Sequence, residues 1–341
     1  MPSHPDQIPP LSGGEALSPL LAGYRPLPNI HDEILAPDRR LRPHWKALID
    51  AFDRMGALEV ERRFGFANRH LRDTGVVHRI YDARGGAERP LPLSHVPLLI
   101  DKQDWSIIEA AVTQRAELID RILGDIYGKQ ELITSGHLPA ALIAGNREFL
   151  RPMVGIEPAG GSHLMFYAAD IGRGPDGRWW ILRDRTESPS GAGYTVENRI
   201  ALSRALPELY QPLYVRRLAR FFGAMRDYLG SKSSAGRAVG LLSAGSYHES
   251  AFEHAYLARY LGLLLFEGED LVVRDDRVFA STTSGLHPID VLVRRLDAYY
   301  ADPLMFNASS QIGTPGLGLV AQMRNVVLAN SLGSGVAEAQ D

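Results

Sequence analysis

The chain has 341 residues, 45% of them hydrophobic and 23% charged, with a formal net charge of −3 and no cysteine. This is the length of two or three domains and the composition of an ordinary globular protein, with no general attraction to nucleic acid or to acidic membranes. The missing cysteine excludes disulfides, thiolate zinc sites and a cysteine nucleophile, and with no membrane-length apolar run and no signal pattern the expected location is the cytoplasm.

Residues 1–28 are rich in Pro, Gly and Ser and bury too little apolar surface to offset their ordering entropy, so a disordered tail is expected there. Trp45, Leu48, Ile49, Phe52 and Met55 then recur at helix spacing, with Gly56 placed as a C-cap. A second helix is expected over Leu58–Leu71, and a strand over Val76–Tyr81 with a turn at Gly85-Gly86. The longest helix starts at Asp101 or Asp104, ends at Gly128 and buries Ile108, Val112, Leu118, Ile119, Ile122 and Ile126. The charged residues of this region read as solvated outer faces, and the region as scaffold.

Strands are expected over Met165–Ala169 and Trp179–Asp184. Pro175-Asp176-Gly177 between them is turn chemistry, which makes the pair an antiparallel hairpin. A helix is expected from Pro207 or Pro212 to about Leu229, then a linker over Ser231–Gly236. Beyond it strand and helix alternate: Ala238–Leu242, a helix from Ser250, Leu263–Phe266, a hairpin around Asp275-Asp276, Asp290–Arg294 and Asn325–Ala329. Alternation of this kind argues for a mainly parallel sheet with helices on its faces. The expected units are a tail over 1–28, a helical region over 29–150, a hairpin and helix over 151–230, and the sheet over 236–341. The fold class is α/β with an α+β N-terminal part.

Tyr167–Arg199 concentrates the chemistry. Asp170, Asp184 and Glu197 stand among Arg183, Arg185 and Arg199, beside a loop Ser190-Gly191-Ala192-Gly193 whose glycines allow close approach of a ligand. Both signs of charge next to such a loop suit a polyphosphate–metal ligand and equally suit an ion-paired sheet edge. Ser246 to Glu249 reads as a capping box, a role compatible with anion binding at a helix N-terminus. His248, Glu249, Glu253 and His254 lack metal-ligand spacing. Gly333-Ser334-Gly335 follows a strand and reads either as a phosphate cradle or as part of a flexible tail.

The run GRGPDGRWWILRDRTESPSGAGYTVENR, followed by LSRALPELY, resembles the circularly permuted type-2 ATP-grasp family. YHESAFEHAYLARYLG, DVLVRRLDAYYADPL and GTPGLGLVAQMRNVVLANSLGSGV are similar to its later blocks in the same order, and the resemblance runs from about residue 30 to the end. It implies a permuted ATP-grasp-like sheet, a Rossmann-like pre-ATP-grasp domain, and an ATP-dependent carboxylate–amine ligase. In such a ligase ATP phosphorylates a small-molecule or peptide carboxylate, an amine attacks the acyl phosphate, and Mg²⁺ neutralises the phosphates. The alternative is an inactive relative acting as a binding or assembly module.

By the resemblance, Asp170 and Asp184 are metal candidates, and Arg183, Arg185 and Arg294 would act on phosphate or acyl phosphate. Ser190, Gly191, Ala192, Gly193, Glu197, Asn198 and Arg199 would line the ATP site, while Glu249 and Asp297 would face the acceptor substrate. The sequence departs from the family where relatives read Leu-Glu-Asp-Asn on the second strand and this chain reads Leu182-Arg183-Asp184-Arg185. Arginine has no lone pair to offer a metal, so the change disfavours Mg²⁺ there. Relatives also continue past the Gly-Ser-Gly block into the other half of the grasp, whereas this sequence ends at Asp341. A downstream ligase or helical domain is therefore expected as a partner.

Overall fold

A computed structural model describes residues 18–82, 85–90, 92–210, 212–234 and 237–338. Helix α1 (Pro43–Met55) buries Trp45, Leu48, Ile49 and Phe52 along one stripe, the pattern of an amphipathic helix. Gly56, at φ 73°, ends it and leads directly into α2 (Ala57–Asp73). Of the expected tail, residues 1–17 lie outside the described residues. In 18–28 the Pro19–Leu21 segment forms a 3-10 turn with Leu21 buried, and the Leu20 N–H donates to Asp53 at 3.3 Å, so the chain is anchored at this point while most of 18–28 is exposed.

Strands β1 (Val77–Asp82) and β2 (Gly85–Pro90) pair antiparallel, with Gly85 opposite Asp82. Gly85 and Gly86 therefore begin the return strand instead of forming the turn. Helix α3 (Lys102–Ile126) is capped by Asp101, whose carboxylate accepts the Asp104 N–H at 2.8 Å. Its buried residues are Ile108, Ile119, Leu123 and Ile126. Leu118 is 54% exposed because it sits about 100° around the helix from Ile119. Two single-turn helices follow, α4 (Glu131–Thr134) and α5 (Ala140–Ala144).

Strands β3 (Ala168–Arg173) and β4 (Trp179–Arg185) form the expected antiparallel hairpin, turning through Gly177 at φ 80°. β3 starts later than Met165 because the Met165 and Phe166 N–H groups donate to the Asn330 side chain, each at 2.8 Å, instead of to a strand. Helix α6 (Ala192–Ala205) begins ahead of Glu197, and α7 (Pro207–Tyr210) and α8 (Ala219–Ser231) follow.

The remainder alternates strand and helix: β5 (Ala238–Ser243), α9 (Ala251–Leu261), β6 (Leu264–Phe266), β7 (Leu271–Arg274), β8 (Arg277–Thr282), β9 (Gly285–Arg295), α10 (Leu317–Gln322) and β10 (Val327–Ala329). β10, β9, β5 and β6 run parallel in that order, and the antiparallel pair β8–β7 joins the first half of β9. β9 is longer than Asp290–Arg294 because Gly285–Ile289 pairs with β8 before Val291–Val293 pairs with β10.

Alternation along β9 divides the core into two layers. Leu292 packs with Leu123, Ile126 and Leu328 on one face, while Val291 and Val293 pack with Leu257, Phe222 and Leu229 on the other. A third cluster joins Leu48, Phe52 and Leu71 to Ala201 of α6. The whole is an α/β fold with helices on both faces of the sheet. No helix among the described residues is long and apolar enough to cross a membrane.

The hairpin is tied to the sheet by Asn330, just past β10. Besides accepting the two N–H groups already named, its amide donates to the Phe166 carbonyl at 2.7 Å and the Thr186 carbonyl at 2.6 Å. This single buried side chain thus uses both donors and both lone pairs, and holds both ends of the hairpin against the strand ends.

Candidate functional site

Cross-strand pairing puts Asp170 opposite Arg183 on one face of the hairpin, and Arg185 donates to Asp170 Oδ2 at 2.9 Å. Asp184 faces the other way. It accepts both Arg115 Nε (2.6 Å) and Nη2 (2.7 Å), and also the Tyr167 hydroxyl (2.6 Å). Burial alone would raise the Asp184 pKa, and the Arg115 and Tyr167 bonds more than reverse that, so it is lowered. Arg173 of β3 pairs with Glu33 at 2.7 Å and with Asp104, and lies 4.1 Å over the Trp179 ring.

The N-terminal region therefore supplies the hairpin's ionic partners, and its charges are not simply solvated. These pairs span 69 to 140 residues of sequence, a separation that no local spacing rule reads.

The metal candidates do not fit Mg²⁺. One acid is paired to Arg185, the other is committed to Arg115 and Tyr167 on the opposite face, and no three His, Asp or Glu side chains come together as a metal-holding set among the described residues. A hard cation needs several oxygen ligands converging on one point.

The Ser190–Gly193 loop is differently committed. Gly191, at φ 108°, is the residue before α6, and the Gly191 and Gly193 N–H groups donate to Glu253 Oε1 at 2.7 and 2.9 Å. Glu253 is fully buried on α9. A Cβ at residue 193 would stand 2.9 Å from the Glu253 Cγ, so the close approach that this glycine permits is made by a carboxylate of the same chain. Arg295 donates to the Pro189 carbonyl and places Nη2 3.4 Å from Glu253 Oε2.

Farther along α6, Glu197 is buried 3.5 Å from His70 and bonded to Tyr256, which places it between helices and away from the loop. Asn198 keeps a buried Oδ1 without a hydrogen bond, and Arg199 reaches the Arg216 carbonyl at 3.5 Å.

Arg294, expected to meet substrate, is only 1% exposed. It donates to Glu187 Oε1 and to the Leu296 carbonyl, both at 2.5 Å, and to the Glu187 and Ser331 carbonyls. Glu187 Oε2 in turn accepts the Gly335 N–H at 2.7 Å, which fills the Gly333–Gly335 loop from within. Neighbouring residues of a strand point to opposite faces, so Arg294 reaches Glu187 while Arg295 reaches Glu253. Glu187 and Arg115 were not singled out as functional from sequence, and Glu253 was weighed only as a metal ligand. The one signal available was the Arg294-Arg295 doublet at a strand end.

The exposed groups gather at the carboxyl ends of β5 and β9, where strand order reverses and open α/β sheets place ligands. Asp297 stands there, its pKa raised first by burial and then by the Glu187 charge, with His248 and Arg147 also acting on it. Glu249 is exposed and close enough to Tyr194 to act, after burial and Glu253, on its pKa of about 12.

The Ser246–Glu249 capping box is not formed. α9 starts at Ala251 after Ser250, and the Ser250 N–H donates to His248 Nδ1 at 3.1 Å, so residues 246–249 form the turn between β5 and the helix. His248 stacks on buried His254 at 5.1 Å, and Ser243 Oγ lies 2.8 Å from His254 Nδ1.

Burial, helped by Arg295 and His248, pushes the His254 pKa from 6.5 down to about 3. The unfolded imidazole therefore protonates first as pH falls, and stability is lost from pH 6.5 down towards 3. Between pH 7 and 5 this histidine should remove about 2 kcal/mol, and urea titrations of His254→Asn should show a pH slope shallower by that amount.

Fold and site together define an α/β protein of ATP-grasp-like architecture. The family model for circularly permuted ATP-grasp type 2 matches residues 97–341, and the chain belongs to that family. Two uncharacterized proteins of Mycobacterium tuberculosis are 35% and 34% identical to it over 319 and 310 residues. Each match covers 90% of this chain, but 36% and 56% of the respective relative. An uncharacterized protein of Synechocystis is 32% identical over 313 residues, covering 91% of this chain and 65% of its own length. The chain thus spans between about a third and two thirds of these relatives. Among solved structures, a glutathione synthetase-like effector of Globodera pallida, in its apo form, superposes with a TM-score of 0.48 at 16% identity, covering 78% of this chain and 63% of that one.

Proposed function

We propose that this chain is the hairpin-and-sheet portion of an ATP-dependent carboxylate–amine ligase. The observation that supports this best is the contact by which Arg295, at the end of β9, holds the segment leading into the Ser190–Gly193 loop. Arg295 joins β9 to Pro189, and Asp297 and Glu249 stand on the same side.

In a ligase of this class, a carboxylate oxygen takes the γ-phosphoryl group of ATP, releasing ADP. The amine nitrogen then attacks the acyl carbon, phosphate leaves, and the nitrogen gives up a proton. Asp297 and Glu249, both exposed, are the carboxylates available to receive that proton and to hold the incoming amine. Arg294 has no surface from which to take part, so its contribution is to fix Glu187 and the strand ends. No step is assigned to Mg²⁺, because the hairpin acids do not fit it.

Calorimetry with ATP, together with hydroxylamine capture of acyl phosphate from a panel of carboxylates, tests this reading. A Kd below about 1 mM and hydroxamate formation are expected. Asp297→Asn should leave capture intact and slow amine-dependent turnover by roughly 10²-fold or more, the usual range for a lost general base. No heat with any nucleotide would sink the ligase reading and leave a binding or assembly module, which the Asp170–Arg185 pair favours.

A further inference from the structure

We propose that the exposed edge strand β6 is a self-association surface, at which two copies of this chain pair β6 against β6, antiparallel about a two-fold axis. β6 bonds to β5 along one side, from Gly240 opposite Leu264 to Leu242 opposite Phe266, and no strand among the described residues takes its other side. An unpaired edge presents a row of N–H and C=O groups ready to accept another strand. Leu264 and Leu265 point to opposite faces of the sheet, yet they are 50% and 44% exposed, so neither face of this edge is covered.

The other edges of the sheet are protected. β10 is buried along its whole length, and β7 ends in the charged turn Arg274-Asp275-Asp276. Leu263-Leu264-Leu265-Phe266 carries no charge, proline or bulge to turn a partner away.

Three strand residues alone bury far less than the roughly 800 Å² per partner of a stable complex, so the helices beside the edge must contribute. Tyr260 of α9 is exposed just before the Gly262 turn that leads into β6, and Phe221 of α8 is exposed beside it. Both flank Phe222, with ring centroids 5.1 Å from it. Aromatic and aliphatic side chains gathered in this way are the composition of an interface core.

Charge selects a second copy as the occupant. Arg259 is exposed at the start of the edge, lies over the Tyr256 ring at 5.6 Å, and makes no ion pair among the described residues. Glu269 is exposed past the other end and makes none either, while its neighbours Glu267 and Asp270 are committed to capping the Gly268–Asp270 turn. Antiparallel pairing sets the start of each strand against the end of the other, so Arg259 of each copy meets Glu269 of the other in a closed pair. Parallel pairing of the same strands would oppose like charges.

Sedimentation equilibrium of the full chain tests this surface, which does not rest on the ligase reading. The wild type should reach twice the 37.6 kDa chain mass with a Kd below about 100 μM. Arg259→Glu and Glu269→Arg should each weaken the dimer at least about 10-fold, because each opposes like charges across the pair. An equimolar mixture of these two variants should recover wild-type affinity, since both contacts across the mixed pair are again of opposite sign. Leu265→Lys should be monomeric, and if that variant does not fold the mixing result decides alone. A wild type that stays monomeric at that concentration leaves the edge to another partner and overturns the proposal. So does a dimer indifferent to the charge reversals, or a mixture that binds no more tightly than its components.

Discussion

Glu187→Ala should be the most damaging single substitution around the strand ends, lowering unfolding free energy by about 3–5 kcal/mol in urea titrations. The change strips the carboxylate from Arg294, which is buried to 1% and has no route to water. It also leaves the Ala298 and Gly335 N–H groups without their acceptor. The cost comes from the unpaired cation more than from any net strength of the pair, because a buried ion pair gives back in desolvation much of what it gains in attraction. The double variant Glu187→Leu with Arg294→Met should therefore recover most of the loss. If the double variant is as unstable as the sum of the singles, the two residues are not acting as one buried pair.

Asn330→Ala should cost a comparable amount, roughly 3–5 kcal/mol, since each buried backbone group left unpaired costs about 1–3. Four bonds end on this amide, from the Met165 and Phe166 N–H groups and to the Phe166 and Thr186 carbonyls. The loss should be local before it is global. Hydrogen exchange at residues 165–168 and 184–187 should accelerate more than exchange in β5 and β9, because these bonds join the hairpin to a sheet with its own core. Asn330→Asp keeps the acceptors but sets a carboxylate oxygen against the Phe166 and Thr186 carbonyls in a buried site, so it should cost at least as much as alanine. Uniform acceleration across the chain would show that hairpin and sheet unfold as one unit.

Much of the fold was legible because it follows local rules. The stripe of α1, the cap Asp101, the hairpin turn at Gly177 and the strand–helix alternation after residue 237 each arise from neighbours within a few residues. The late start of β3 was not legible, since it is set by a side chain about 165 residues away. The same distance hid the partners of the hairpin. Strand periodicity puts Asp184 on the face opposite Asp170, but nothing near it in sequence points to Arg115.

The candidate site was legible as a place more than as a set of roles. Ser190 to Gly193 do form a glycine-led helix start, yet the carboxylate on their amides comes from α9. Arg294 and Arg295 were conspicuous as a doublet, and strand alternation sends them to two different buried glutamates. In this protein the charged residues most visible in sequence are largely paired with one another, and of the candidate site residues Asp170, Arg183, Ser190, Glu249 and Asp297 are exposed.

The hairpin acids decide the matter most directly, and Mn²⁺ serves as a paramagnetic stand-in for Mg²⁺. With Asp170 held by Arg185 and Asp184 held by Arg115 and Tyr167, relaxation measurements on the wild-type chain should show no saturable Mn²⁺ at the hairpin with a Kd below about 1 mM. Arg183→Glu combined with Arg185→Asn, which restores oxygen ligands beside Asp170, should create such a site and broaden the amides of residues 169–171 and 182–186. Saturable Mn²⁺ binding by the wild-type hairpin, lost in Asp170→Ala, would contradict the ion-paired hairpin described above.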